Sequence, residues 1–219
     1  MKKLAIMISC IATILVGCNN NTTSEESTEV KRTYNKSING HEYVDLGLSV
    51  KWATCNVGAN YPHEVGDLYA WGEIKTKDDY NSLNSETEDV NIGDDIGENP
   101  NYDAATANWG STWRMPTKWE ALELVNNCTW ECVSLNGMNG IKITGPNGNY
   151  IFLPVTHVLC NYMWGSSYEH GKYWTSSTGS YGNRHAAGYK IAPSKDNCEF
   201  EVRSNEFRFS GHAIRPVSN

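Results

Sequence analysis

The sequence predicts an α+β domain with a small twisted antiparallel sheet, one or two short helices and long ordered loops. Three observations carry this prediction. Helical patterning is confined to two short stretches between residues 103 and 127, whereas short apolar runs separated by turn residues fill most of the chain beyond them. Glycine is abundant, with 19 in 219 residues, which suits tight turns and irregular connections. Eight tryptophans in a chain this size point to a core filled by large rings rather than by helix stripes.

In chain order, Tyr43-Val-Asp-Leu-Gly47 and Leu48–Thr54 read as two short strands around a glycine. Asp67–Gly72 reads as a third. Residues 75–100 turn acidic and Asn-rich, with Asp94-Asp95 flanked by glycines, and read as a long surface loop. Asp103 is placed to cap a helix of a turn or two that Gly110 stops. Thr117-Lys-Trp-Glu120 is a capping box after Pro116, so a helix is expected over 118–127, with Trp119, Leu122 and Val125 on its apolar face. Strands are then expected at 130–135, 141–144, 150–153, 172–177, 188–192, 206–209 and 213–217. Gly145-Pro-Asn-Gly148 is a hairpin connector in which Asn147 and Gly148 supply positive φ.

Ahead of this domain, Lys2 and Lys3 precede an apolar run from Leu4 to Val16 that is too short for a comfortable bilayer span. Leu15-Val16-Gly17-Cys18 resembles a bacterial lipobox. That resemblance implies cleavage before Cys18, diacylglycerol on its sulfur and acylation of the new amine, hence membrane attachment without a crossing helix. Residues 1–17 are then a signal peptide. Residues 18–39, rich in Asn, Ser, Thr and Glu, form a disordered tether, and 40–219 form the domain. Asn19, in place of the Asp of an inner-membrane retention signal, directs the expectation to the outer membrane. Ser24-Glu25-Glu26 loosely resembles the surface-export signals of Bacteroidetes lipoproteins, and the cell surface and the periplasmic face both stay open.

Removing the two lysines of the signal takes the net charge from −7 to −9. An acidic surface argues against nucleic acid and anionic lipid as partners. Cys55, Cys128, Cys132, Cys160 and Cys198 remain in an oxidising compartment, an odd count that leaves at least one free thiol and no pairing assignable from spacing. Cys128-x3-Cys132 lacks a second close pair or a histidine at ligand spacing, so zinc is not expected.

Val50–Gly58, Gly66–Gly72, Trp113-Arg-Met-Pro-Thr117 with Glu120, Tyr173-Trp-Thr-Ser-Ser177 and Ile214-Arg-Pro-Val217 resemble, in order, the Fibrobacter succinogenes major paralogous domain, a family abundant in Bacteroidetes lipoproteins. The resemblance runs from about residue 42 to 217. It implies a C-type-lectin-like fold shared with formylglycine-generating enzymes, whose Arg-Leu-Pro-Thr-x-x-Glu segment resembles Arg114 to Glu120. Within these motifs Trp52, Trp71, Trp113 and Trp174 read as framework rings. Arg114 and Arg215 read as buried organisers of loop carbonyls, and Glu120 as part of a cap.

Catalytic signatures are scarce. A formylglycine-generating enzyme needs a close cysteine pair near the C-terminus, and Cys198 has only Cys160 as a distant candidate partner. The Glu-Pro-Asn, Gln-Pro-Asp and Trp-Asn-Asp tripeptides of calcium-dependent lectins do not occur. Asp94, Asp95 and Glu98 read as solvated loop charge before they read as calcium ligands. His157, His170, His185 and His212 are scattered, and Ser176 and Ser177 lack a nucleophile-elbow context. The expectation is therefore a non-enzymatic module without cofactor or metal. Tyr162, Trp164, Tyr168, Tyr181 and Arg184, with Tyr173, mix rings with Gly, Ser and Asn in loops 155–186, a composition suited to holding a glycan or a surface protein. The plainer reading is that Trp164 and Tyr168 pin their own loop. A structural or adhesive surface component, and an oxidoreductase-like relic, are the other classes considered.

Overall fold

The structure is a computed structural model that describes residues 36–156, 170–194 and 198–219. Its elements run β1 (Ser37–Ile38), β2 (His41–Asp45), β3 (Lys51–Ala53), α1 (Ala104–Trp109), α2 (Lys118–Asn127), β4 (Thr129–Leu135), β5 (Met138–Thr144), β6 (Tyr150–Pro154), β7 (Gly171–Thr178), β8 (His185–Pro193), β9 (Cys198–Phe207) and β10 (Val217–Ser218). The α+β class holds, with short antiparallel strands dominant. Among the described residues there are three sheets in place of one, ordered β1-β2-β3-β10, β4-β5-β6 and β7-β8-β9. Strand pairing begins at Ser37, inside the stretch expected to be tether. Among the described residues no helix is long and apolar enough to cross a membrane.

Both helices start where their caps predict. Asp103 accepts from the amides of Ala105 and Thr106 and, with its other oxygen, from Glu98 and Met115. One buried carboxylate thus joins the end of the long loop, the helix start and the segment leading to α2. In α2 the capping box forms as expected, with Thr117 and Glu120 exchanging side-chain-to-backbone bonds.

The face of α2 is not the expected one. Ala121 and Leu124 are buried, Leu122 and Val125 are half-buried, and Trp119 is 73% exposed. The Lys118 amide donates to Ser177 Oγ of β7, which sets the rotation of the helix so that the small Ala121 meets the sheet.

Two further strand expectations fail for a common reason. At 67–72, Tyr69 exchanges backbone bonds with His212 and the Trp71 amide donates to the Arg208 carbonyl, giving an isolated bridge. Of 213–217 only Val217 enters a strand, while Ala213 makes a single parallel bridge to Tyr173. These segments cross between sheets and satisfy their backbones with single bonds to different neighbours. In the β5–β6 turn Gly148 has φ +85°, whereas Asn147 does not take positive φ and instead donates its amide to the Asp45 carbonyl, docking the hairpin onto β2.

The core has two parts. One gathers Trp52, Leu124, Ile141, Leu153, Tyr173, Tyr189 and Ile191 between α2 and the sheets. The other is built on Trp71, Trp109, Trp113 and Trp174 around α1. A disulfide, Cys132–Cys198, ties β4 to β9. Spacing leaves the pairing open, and Cys198, bonded to Cys132, is not free to pair with Cys160 as a catalytic cysteine would.

Candidate functional site

Beyond β7, residues 179–184 turn tightly into β8. Gly182 occupies the turn at φ +76°, a conformation that side-chain-bearing residues rarely adopt. The Gly179 amide donates to the His185 carbonyl, and the His185 amide to Gly182. The turn lifts Tyr181 to 68% exposure.

Three rings then follow one another across the surface. Tyr181 meets His185 at 5.8 Å with planes 66° apart, and His185 meets Phe207 at 4.7 Å and 35°. Phe207, 43% exposed, stacks on the buried Phe209 at 5.2 Å. Antiparallel register brings this about, since His185 and Phe207 are direct cross-strand partners.

The other side of the turn faces the end of the long loop. Arg184 donates from Nε and Nη2 to Glu88 Oε1 at 3.0 and 2.8 Å and lies 3.7 Å from Asp89. Its guanidinium is half-exposed, while the Glu88 side chain is only 6% exposed. The Asp89 amide donates to the Asn183 carbonyl, and Val90 beside it is exposed.

Beneath both segments lies Arg208, fully buried. It donates to the carbonyls of Thr87 (3.3 Å), Val90 (2.8 Å) and His185 (3.2 Å), and so fastens the long loop to the turn. Its charge rests over the Trp71 ring at 4.3 Å. Burial lowers its pKa from the ordinary value.

Of the expected ligand residues, Tyr181 and Arg184 come together here. Tyr162, Trp164 and Tyr168 lie outside the described residues, as do Cys18, Cys160 and His157. The residues bracketing 157–169 are placed, however: Thr156 bonds Lys172 at the start of β7, and Gly171 pairs with Ile191. Tyr181 lies past the opposite end of β7, an eight-residue strand, roughly 23 Å away along it. Of loops 155–186, the described residues are thus 155–156, next to the start of β7, and 170–186, which carry the turn at its other end. Tyr173 is fully buried, stacked on Tyr189, and belongs to the core. In the sequence Val90 does not stand out, Phe207 and Arg208 read only as part of a strand, and His185 only as one of four scattered histidines. The available signal was Phe207-Arg208-Phe209, an arginine between two rings at the end of a strand.

The tryptophans and Arg215 are buried as expected, whereas Arg114 is half-buried and engages a carboxylate more than loop carbonyls. Trp52, Trp71, Trp113 and Trp174 are fully buried, and the last three donate from Nε1 to the carbonyls of Thr175, Ile38 and Tyr69. Arg215 is buried and donates to Asn56 Oδ1 and the carbonyls of Ala53 and Thr54. Arg114 makes a two-pronged bond to Glu120 at 2.8 and 2.5 Å. Burial would raise the Glu120 carboxyl, but the bonds from Arg114 and Thr117 outweigh it and hold its pKa below the usual carboxylate range. A polar cleft of about 300 Å³ lies beside Arg114, lined by Glu98, Ser111, Thr112 and Asn219. Arg114 enters it already engaged by Glu120, Met115 and Asn219.

Nucleophiles are similarly occupied. Ser176 Oγ donates to the Pro116 carbonyl, and Ser177 Oγ to Asp95. Burial raises the Cys55 thiol, and burial with nearby Glu123 pushes Cys128 up to about 11, so both stay protonated at neutral pH. Among the described residues no cluster of three His, Cys, Asp or Glu side chains is placed to hold a metal ion. No protein-family model, curated protein or solved structure matches this chain.

Proposed function

We propose that the chain is a lipoprotein held at the outer membrane through acylated Cys18, and that residues 40–219 are a non-enzymatic binding module of C-type-lectin-like fold. Its ligand is a glycan or a surface protein. One observation carries the binding reading: exposed Tyr181 and Phe207, with His185 between them, sit on a turn and a strand end held by buried Arg208. Rigidly held rings give contact area with little ordering entropy on binding. Short antiparallel strands, two helices and a long ordered loop are compatible with the lectin-like fold and with the resemblance to the paralogous-domain family. Protonated thiols, and serines engaged by backbone and loop partners, favour binding over catalysis.

The test uses the full chain in cells. Palmitate labelling lost in Cys18→Ser, together with ligand capture on glycan panels or by surface crosslinking, is the expected result. An unlabelled wild-type chain overturns the anchor. Silence on both panels and crosslinking overturns the binding module.

A further inference from the structure

We infer that the rings of Tyr181, His185 and Phe207 form a subsite for a short, bent, uncharged oligosaccharide. This rests on the reading of the domain as a binding module and names the ligand class for that site. Exposed aromatic faces present apolar area that matches the C–H faces of pyranose rings, and flanking polar groups match their hydroxyls. The two exposed rings stand on either side of His185, at spacings of 5.8 and 4.7 Å, so successive sugars can each meet a face.

The angles decide the shape. Planes tilted 66° and 35° from one ring to the next make a faceted ledge. A flat polysaccharide surface would touch one facet, whereas a chain that turns at its linkages follows several. Arg184, next to His185 in the chain, uses Nε and Nη2 on Glu88 on the other side of the turn, so the ring ledge is held from behind by this pair.

Charge decides the class. Glu88 and Asp89 both face Arg184, two carboxylates against one guanidinium, on a chain of net charge −7. Uronate and sulfated glycans meet repulsion here, and neutral ones do not. A protein partner is less well matched. At about 150–250 Å² per aromatic side chain, three rings fall short of the roughly 1,000 Å² that a stable protein interface needs.

The test is a binding series with the full chain in detergent, probed with neutral gluco-, manno-, galacto- and xylo-oligosaccharides and with polygalacturonate and heparin. At least one neutral oligosaccharide should bind, with an affinity that changes little with salt. Tyr181→Ala and Phe207→Ala should each weaken it by at least about tenfold. Tyr181→Phe should retain it, and Trp119→Ala on α2 should leave it unchanged. Binding confined to polygalacturonate or heparin, or neutral binding indifferent to Tyr181→Ala and Phe207→Ala, overturns the inference while the binding module stands. A crosslinked protein partner with no sugar bound does the same. Silence toward sugars and proteins alike overturns both.

Discussion

The Arg208 guanidinium lies 4.3 Å from the centre of the Trp71 ring while donating to three carbonyls from two segments far apart in sequence. Trp71 is itself fixed, its Nε1 donating to Thr175 on β7 and its carbonyl accepting from the Thr87 hydroxyl. A chain from β7 through Trp71 and Arg208 thus reaches both the long loop and the turn that carries Tyr181. A buried charge is costly unless well bonded, so this arrangement commits the loop to one position.

Arg208→Lys should not rescue this function, because an ammonium has no planar fork to reach all three carbonyls over a ring. We expect a loss of about 2–4 kcal/mol, read as a lower urea midpoint, with Thr87, Val90 and His185 left short of a donor. A midpoint equal to that of wild type would contradict the role given to Arg208.

His212 sets an acid limit on stability. Its ring stacks on Trp174 at 4.0 Å, and burial, with nearby Lys172, holds its pKa well below the ordinary 6.5. The folded chain therefore keeps it neutral where the unfolded chain takes up a proton. Above pH 6.5 the residue contributes no pH dependence, and as the pH falls below 6.5 it removes roughly 1.4 kcal/mol of stability per pH unit. His212→Phe keeps the stacking and should flatten the slope of unfolding free energy below pH 6.5 by that amount. Parallel slopes for the two proteins would refute this.

Asp103→Ala leaves four backbone amides without their acceptor, those of Glu98, Ala105, Thr106 and Met115. The expected loss is about 3 kcal/mol, with Asp103→Asn losing less because one oxygen remains. Thermal or urea unfolding of the two variants gives the ranking, and equal losses would remove the case for two-oxygen bonding.

The Cys132–Cys198 bridge spans 66 residues of sequence. Closing a loop of that length stabilises by about 4 kcal/mol on chain entropy, so Cys132→Ser with Cys198→Ser should lower the unfolding free energy by up to that figure. In the folded wild type, Cys55 and Cys128 should react slowly with a thiol reagent at neutral pH, since both thiols are held protonated. Rapid labelling of either would show that burial does not protect it.

Features written in consecutive residues were legible in advance. Asp103 and Gly110 bounded α1, Thr117 and Glu120 placed α2, and alternating apolar runs with turn residues located most strands of the second half. Each depends on interactions within a few positions of the chain, which the residue order alone decides. The four framework tryptophans and Arg215 were legible for a related reason, because large rings and a guanidinium have few stable places outside a well-bonded interior.

Residue order left open every choice between distant partners. The rotation of α2 came from Ser177 holding Lys118, the division into three sheets from crossing segments, and the bridge at Cys198 from the approach of β4 to β9. The ring ledge is the plainest case. His185 and Phe207 became neighbours through cross-strand register, and Arg208 bound the His185 backbone to a loop more than ninety residues earlier in the chain. Such contacts are selected by packing and by closure of the whole backbone, for which local spacing carries no signal.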